Sequence, residues 1–237
     1  MSMKFFINPQ FEELNSFIHS LPESFANQGV VVRKVRNEIR RIKCGQFELV
    51  VKSYKVPNFI NKIIYGSLRK SKAERAYDYA QLLLSRGIGS PTPVAYITER
   101  HSCLFRRSYF ISLLSACPYN YYDLFEKAFE REEEILVAIA KTTAKMHENG
   151  FLHLDYTGGN ILFDDREETI PVELIDLNRM SFKKIGMVEG CKNFGKLRAT
   201  EKMLETMGGA YAEARGYDKK ECITLIKEFN STWKKES

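Results

Sequence analysis

A chain of 237 residues with 44% hydrophobic and 28% charged residues, but only 14 Gly and 7 Pro, lies near the globular average and excludes collagen-like, low-complexity and disordered classes. Lys and Arg number 36 against 30 Asp and Glu, a surplus of +6, which favours an anionic partner such as nucleic acid, nucleotide phosphate or an acidic membrane face. The five cysteines, Cys44, Cys103, Cys117, Cys191 and Cys222, include no C-x-x-C pair, so they read as reduced, buried thiols rather than a zinc site. The start, MSMKFFINPQFEEL, lacks the apolar core of a secretory signal, and no run approaches the ~20 apolar residues of a membrane span. The expected location is cytoplasmic, with membrane contact limited to the surface.

Residues 5–20 place Phe11, Leu14, Phe17 and Ile18 at helical spacing behind Asn8-Pro9, which predicts a short opening helix. Three β-rich runs follow, Val30 to Val35, Ile39 to Cys44 and Phe47 to Tyr54, broken by Arg36-Asn37-Glu38 and Gly45-Gln46; they predict an antiparallel meander. Arg40, Arg41 and Lys43 on its middle strand predict one charged, wet face. From Asn61 to Arg86 the period is helical, with Gly87 as the stop. Val94 to Thr98 and Leu104 to Ile111 are two further strands. Beyond them Tyr121 to Phe129 and Glu132 to Asn149 are helical, the latter with an acidic first turn suited to the helix dipole. Two short strands, Ile161 to Phe163 and Val172 to Asp176, flank an acidic turn, and helices are expected at about 190–207 and 218–234.

The informative segment is His153-Leu154-Asp155-Tyr156-Thr157-Gly158-Gly159-Asn160, just after a long helix and just before a short strand. The segment resembles the catalytic loop of the protein-kinase-like superfamily, in which H-x-D is followed by four residues and Asn; the resemblance implies an Asp that takes the acceptor hydroxyl's proton during phosphoryl transfer and an Asn on the same loop that holds Mg²⁺. Sixteen residues after Asn160 comes Asp176, at the end of an apolar run and followed by Leu177-Asn178; two oxygen donors, Asn160 and Asp176, suit Mg²⁺. Upstream, Lys52 ends the third strand of the meander, and Glu74 on the following helix is its natural ion-pair partner. Each residue alone has a commoner reading as a surface charge, a turn cap or a loop stabiliser. Their joint order carries the argument.

That set resembles the protein-kinase-like superfamily: strand Lys, helix Glu, H-x-D with Asn five residues on, and a strand-end Asp where the superfamily has D-F-G. Within it the chain looks most like the lipopolysaccharide core kinases that act on Kdo or heptose. The features are the Arg36-Asn37 turn in place of a glycine-rich loop, the helix start Lys72-Ala73-Glu74-Arg75, Gly87-Ile88-Gly89-Ser90-Pro91-Thr92-Pro93, the compact His153-Leu154-Asp155 loop and a helix start at Lys192-Asn193-Phe194.

The resemblance implies an α+β, two-lobe protein-kinase-like fold: a small antiparallel sheet lobe with one long helix over residues 1–112, and a mainly helical lobe over 113–237. It implies ATP and Mg²⁺ as cofactors and a sugar or lipid-linked sugar as acceptor. Asp155 would be base or orienter, Asn160 and Asp176 the metal ligands, and Lys52, held by Glu74, the phosphate cation. Arg36 or Arg40 would add charge at the phosphates, and Asn37 a left-handed turn residue.

Thr157 stands where protein kinases place a loop lysine, no A-P-E follows, and only about sixty residues remain after Asp176, all pointing away from a peptide acceptor. Arg69, Lys70, Lys72 and Arg75, with Lys55 and Lys62, are either a peripheral contact with the anionic inner membrane or an ordinary solvated helix face; no nucleic acid is expected. The alternatives are a small-metabolite kinase of aminoglycoside or choline type, an atypical protein kinase, or an inert pseudokinase that binds an anionic polymer.

Overall fold

Period-two alternation organises the first half of the chain. In β3 (Glu38–Cys44) the buried residues Glu38, Arg40 and Ile42 alternate with Ile39, Arg41 and Lys43, and in β4 (Phe47–Lys55) Leu49, Val51 and Ser53 alternate with Glu48, Val50 and Lys52. The computed structural model describes residues 2–35, 37–55, 70–101 and 104–236; Arg36, Lys62, Arg69 and Cys103 lie outside the described residues.

The remaining strands of this sheet are β1 (Ser2–Ile7), β2 (Val30–Lys34), β5 (Pro93–His101) and β6 (Leu104–Leu113). Their order is β1-β5-β6-β4-β3-β2, antiparallel throughout. One face packs on a 3₁₀ segment, Pro9–Leu14, and α1 (Asn15–Ser24), whose Phe11, Leu14, Ile18 and Leu21 meet Ile42, Leu49, Val51, Ile97 and Ile111. On the other face lies α2 (Lys72–Ser85), where Ala73 and Tyr77 pack against Tyr54 and Tyr96.

In this part of the chain the structure corrects three expectations. Residues 5–7 belong to a strand, because Phe5, Phe6 and Ile7 pair with Ile97, Tyr96 and Ala95; Asn8 then caps the following turn by accepting from Gln10 N–H. Arg40 is not on the wet face. Alternation turns it inward, where it is 7% exposed, pairs with Glu38 and donates to the Gln28 carbonyl. Finally, α2 starts at Lys72 on a Ser71 cap, whose Oγ accepts from Glu74 N–H at 3.0 Å; the stretch 61–69, expected as its first turns, lies outside the described residues.

The chain divides into two compact units, Met1–Leu82 with Pro91–Leu114, and Leu83–Ser90 with Ser115–Ser237. In the second, α3 (Glu132–Glu148) buries Ile135, Leu136, Ile139, Ala140, Thr143 and His147 along one face. Around it run β7 (Tyr119–Asn120), β8 (Phe151–His153), β9 (Ile161–Phe163), β10 (Val172–Leu174) and β11 (Met180–Phe182), in two small antiparallel sheets, β10-β9-β7 and β11-β8. Gly89 closes on β10, where its carbonyl accepts from Leu174 N–H at 2.9 Å; a Cβ there would sit 2.1 Å from the Val172 carbonyl oxygen.

The expected helix at 190–207 is two: α4 (Met187–Asn193) and α5 (Glu201–Arg215). The break is stabilised from α6 (Lys219–Glu236), whose buried Asn230 donates to the Gly195 and Leu197 carbonyls, and α5 restarts on a Thr200 cap. Asn193 therefore ends a helix rather than starting one. Cys117, Cys191 and Cys222 are buried free thiols and Cys44 is half-buried.

Candidate active site

The loop after α3 is fixed by buried polar groups. His153 is fully buried, with Nε2 3.0 Å from the Ile175 carbonyl and Nδ1 3.1 Å from the Asp155 N–H. A carbonyl can only accept, so Nε2 carries the proton and Nδ1 accepts, which is the neutral ring; burial lowers its pKa and agrees. The imidazole thus joins the main chain of Asp155 to the end of β10.

Next along the loop, the buried Tyr156 hydroxyl bonds Thr143 Oγ1, and Thr143 donates back to the Ile139 carbonyl of α3. The Asp155 carbonyl accepts from Thr157 N–H at 2.9 Å and from Asn160 Nδ2 at 2.8 Å. With its nitrogen held there, Asn160 keeps Oδ1 as its donor to a cation.

Asp176 stands beside this point, because Ile175 N–H donates to the Asn160 carbonyl at 3.0 Å. Its φ is +59°, the left-handed region, and among the described residues it is the one non-glycine there. That conformation costs an L-residue on the order of 1 kcal/mol and concentrates at functional sites. Asn178 Nδ2 bonds the Asp176 Oδ1 and orients the carboxylate. Asn160 and Asp176 therefore offer hard oxygen donors from adjoining backbone, the set that Mg²⁺ accepts when phosphates and water fill the other positions.

Asp155 itself is half-exposed, with the Arg179 guanidinium 3.6 Å from Oδ2. The main chain at Leu154 is gripped on both sides: its N–H donates to the Arg179 carbonyl at 2.9 Å, and its carbonyl accepts from Lys196 Nζ at 3.3 Å.

In the sheet unit, Lys52, Phe110 and Tyr96 follow one another across the register on the face that carries α2. Lys52 Nζ lies 5.3 Å from the Tyr54 ring centre. Glu74 is on the first turn of α2, buried, and its Oε1 meets Lys4 Nζ at 3.1 Å and the Tyr96 hydroxyl at 3.4 Å. Lys4 escapes sequence reasoning, since its role depends on β1 being a strand. Asn37 Oδ1 is buried with no hydrogen-bond partner among the described residues. Arg40, expected near phosphate, is committed to Glu38, and Arg36 lies outside the described residues.

A second buried network also escapes the sequence. Asn193 Nδ2 donates to the His153 carbonyl at 3.0 Å, and its Oδ1 accepts from His147 Nε2 at 3.1 Å. His147 Nδ1 accepts from the Tyr211 hydroxyl at 2.9 Å, and Arg215 donates to that hydroxyl at 3.0 Å. Burial pushes the His147 pKa down to about 4. The members come from α3, α4 and α5, so no local spacing announces them; His147 at a core position of the α3 period is the one visible sign.

A sequence model of the lipopolysaccharide kinase (Kdo/WaaP) family matches residues 25–206, well over half of the chain. The chain belongs to this family. A curated relative, the 3-deoxy-D-manno-octulosonic acid kinase of Photobacterium profundum, is 26% identical over 134 residues, 56% of this chain and 54% of the relative. The match thus spans about half the length of that protein. The solved structure of WaaP in complex with acyl carrier protein superposes with a TM-score of 0.70 at 16% identity over 98% of both chains, which shows that this Kdo/WaaP family member has the α+β protein-kinase-like fold.

Proposed function

We propose that this chain is a Mg·ATP-dependent phosphotransferase whose acceptor is a sugar hydroxyl of the lipopolysaccharide inner core, on a Kdo or heptose residue. The observation that carries the reading is the junction of Asp155, Asn160 and Asp176, locked by His153 and by the Ile175 to Asn160 hydrogen bond. Membership of the Kdo/WaaP family supports the sugar acceptor.

In this reading the Asp155 carboxylate orients the acceptor hydroxyl and takes its proton as the phosphoryl group moves. Asn160 Oδ1 and Asp176 hold Mg²⁺, which when bound neutralises charge developing on the phosphates. Lys52 is assigned to the nucleotide phosphates and Glu74 to its positioning. Catalysis then rests on placement and electrostatics. No helix among the described residues is long and apolar enough to cross a membrane, so a lipid-linked acceptor would be met by peripheral contact with the anionic inner membrane. In and before α2, Lys70 is exposed but paired with Asp78, while Lys72 and Arg75 are half-buried.

The test is turnover of Asp155→Ala on an inner-core acceptor. A loss of about 10³-fold or more in kcat is expected, since general base catalysis and positioning both disappear, with Mg·ATP binding kept. Near-normal turnover would remove Asp155 from the reaction.

A further inference from the structure

Gly158 and Gly159, between Asp155 and Asn160, are not among the glycines at positive φ, so the backbone there would accept any L-residue. Space is what forbids one. A Cβ on Gly158 would stand 2.8 Å from both the Tyr121 and the Tyr122 rings, and one on Gly159 would stand 3.5 Å from the Tyr122 ring. The loop is bare at this point so that two aromatic rings can lie on it.

The two rings have different fates. Tyr121 is fully buried and edge-on to Phe125, which accounts for it as packing. Tyr122 lies against both glycines yet stays 38% exposed. Its position is fixed at the start of the 3₁₀ segment Tyr121–Phe125: Tyr122 N–H donates to Asn120 Oδ1 at 2.9 Å, Asn120 N–H donates to Asp123 Oδ2 at 2.8 Å, and Asp123 pairs with Lys127. A ring held in place in this way loses little further freedom when a ligand covers it.

Asp155 belongs to the same turn, because its carbonyl accepts from both Thr157 N–H and Asn160 Nδ2. The tighter approach of Tyr122 is at Gly158, the glycine nearer Asp155, which sets the ring towards the proposed acceptor side of the loop and away from the metal side at Asn160. An exposed aromatic face beside bare backbone suits a ligand with an apolar face and a polar edge. The C–H face of a sugar ring, with hydroxyls around its rim, has that form.

We infer that Tyr122 is the stacking platform for the acceptor's sugar ring, a specificity-determining residue that holds the ring by its C–H face beside Asp155. The inference rests on the phosphotransferase reading and adds to it the residue that recognises the ring itself, whatever charged or neutral groups the ring carries.

The experiment compares the full chain with Tyr122→Phe and Tyr122→Leu, using a soluble inner-core oligosaccharide that contains both Kdo and heptose. Turnover is measured with Mg·ATP, and the affinities of the oligosaccharide and of a non-hydrolysable ATP analogue are measured separately by calorimetry. Loss of a stacked ring face should raise the acceptor KM and Kd of Tyr122→Leu by roughly three- to tenfold, with kcat and analogue affinity kept, the pattern of lost uniform binding. Tyr122→Phe retains the ring and should bind the acceptor as the wild type does. Should Tyr122→Leu fail to fold, Tyr122→Met replaces it, since an unbranched side chain adapts to irregular space. Unchanged acceptor affinity in Tyr122→Leu overturns the inference, and so does a loss of analogue affinity in place of acceptor affinity, which would put the nucleotide's ribose on the ring. A joint fall of both affinities and kcat would make Tyr122 a packing residue of the loop, and an equal loss in Tyr122→Phe would credit the hydroxyl; either result also overturns it. If the oligosaccharide is phosphorylated with the same KM in wild type and Tyr122→Leu, the platform falls and the phosphotransferase reading stands. If it binds without being phosphorylated and Tyr122→Leu weakens that binding, the platform stands and the phosphotransferase reading falls. If it neither reacts nor binds, both fall.

Discussion

The loop from His153 to Asn160 and the hairpin of β2 and β3 both carry residues assigned to phosphate chemistry, yet they are held in different ways. Along the loop, Thr143 of α3 bonds the Tyr156 hydroxyl, Asn193 of α4 donates to the His153 carbonyl, and the buried His153 ring joins the Asp155 N–H to the Ile175 carbonyl just past β10. In the hairpin, β2 is an edge strand with every residue exposed, Val30 at 71% and Val32 at 63%, and its pairing with β3 shifts register between Val31 and Arg33. The comparison teaches where positional accuracy resides. The main chain that carries Asp155 is fixed by hydrogen bonds whose loss leaves buried groups unpaired, whereas the hairpin is positioned by strand register and keeps an irregular edge that resists pairing with another strand.

The sharpest way to break this contrast is to remove one anchor. Asn193→Ala deletes the donor to the His153 carbonyl and the acceptor for His147 Nε2, leaving two polar groups unpaired at about 1–3 kcal/mol each. A fall in Tm of roughly 5–15 °C is expected, with kcat reduced more than KM. Normal kcat in the folded variant would show that the loop holds its geometry without Asn193.

Acid should loosen the same anchors. His147 has a folded pKa of about 4 against about 6.5 in the unfolded chain, so the unfolded state binds the proton first. Its contribution is complete above about pH 6.5 and falls as pH drops towards 4, with about 2 kcal/mol lost by pH 5. The buried His153 acts in the same direction. Thermal melts between pH 7.5 and 5 should show a Tm lower by at least roughly 4–8 °C, and His147→Gln should flatten the slope; an unchanged slope would place the titration elsewhere. The hairpin should be far more tolerant. Val32→Thr, at an exposed site on the edge strand, is expected to stay within about 0.5 kcal/mol of wild type, and a larger loss in a denaturant titration would mean that this edge is covered.

Much of this contrast is visible in the sequence, but unevenly. The meander, the helix 132–148 and the ordering of His153, Asp155, Asn160 and Asp176 depend on local period and spacing, which a single chain displays. Arg40 is misplaced when three basic residues in one strand are read as one face, although alternation separates Arg40 from Arg41. β1 is hidden because Phe5 to Ile7 become a strand only through β5, some ninety residues away. The partners of His147 and Glu74 are hidden for the same reason: Asn193, Tyr211 and Lys4 are brought in by packing between distant elements. Local spacing marks the residues proposed to act, and long-range packing decides what holds them.

The central claim, that Asn160 and Asp176 form the metal side of a nucleotide site, is tested most directly by the thermal midpoint of the purified protein with and without Mg·ATP, beside Asp176→Asn. At a ligand concentration about 100 times Kd, binding stabilises by ~2.7 kcal/mol, a rise of several degrees for a chain of this size. That rise should appear in the wild type only when Mg²⁺ is present and be lost in Asp176→Asn. No rise at millimolar Mg·ATP, or the same rise in the variant, would contradict it.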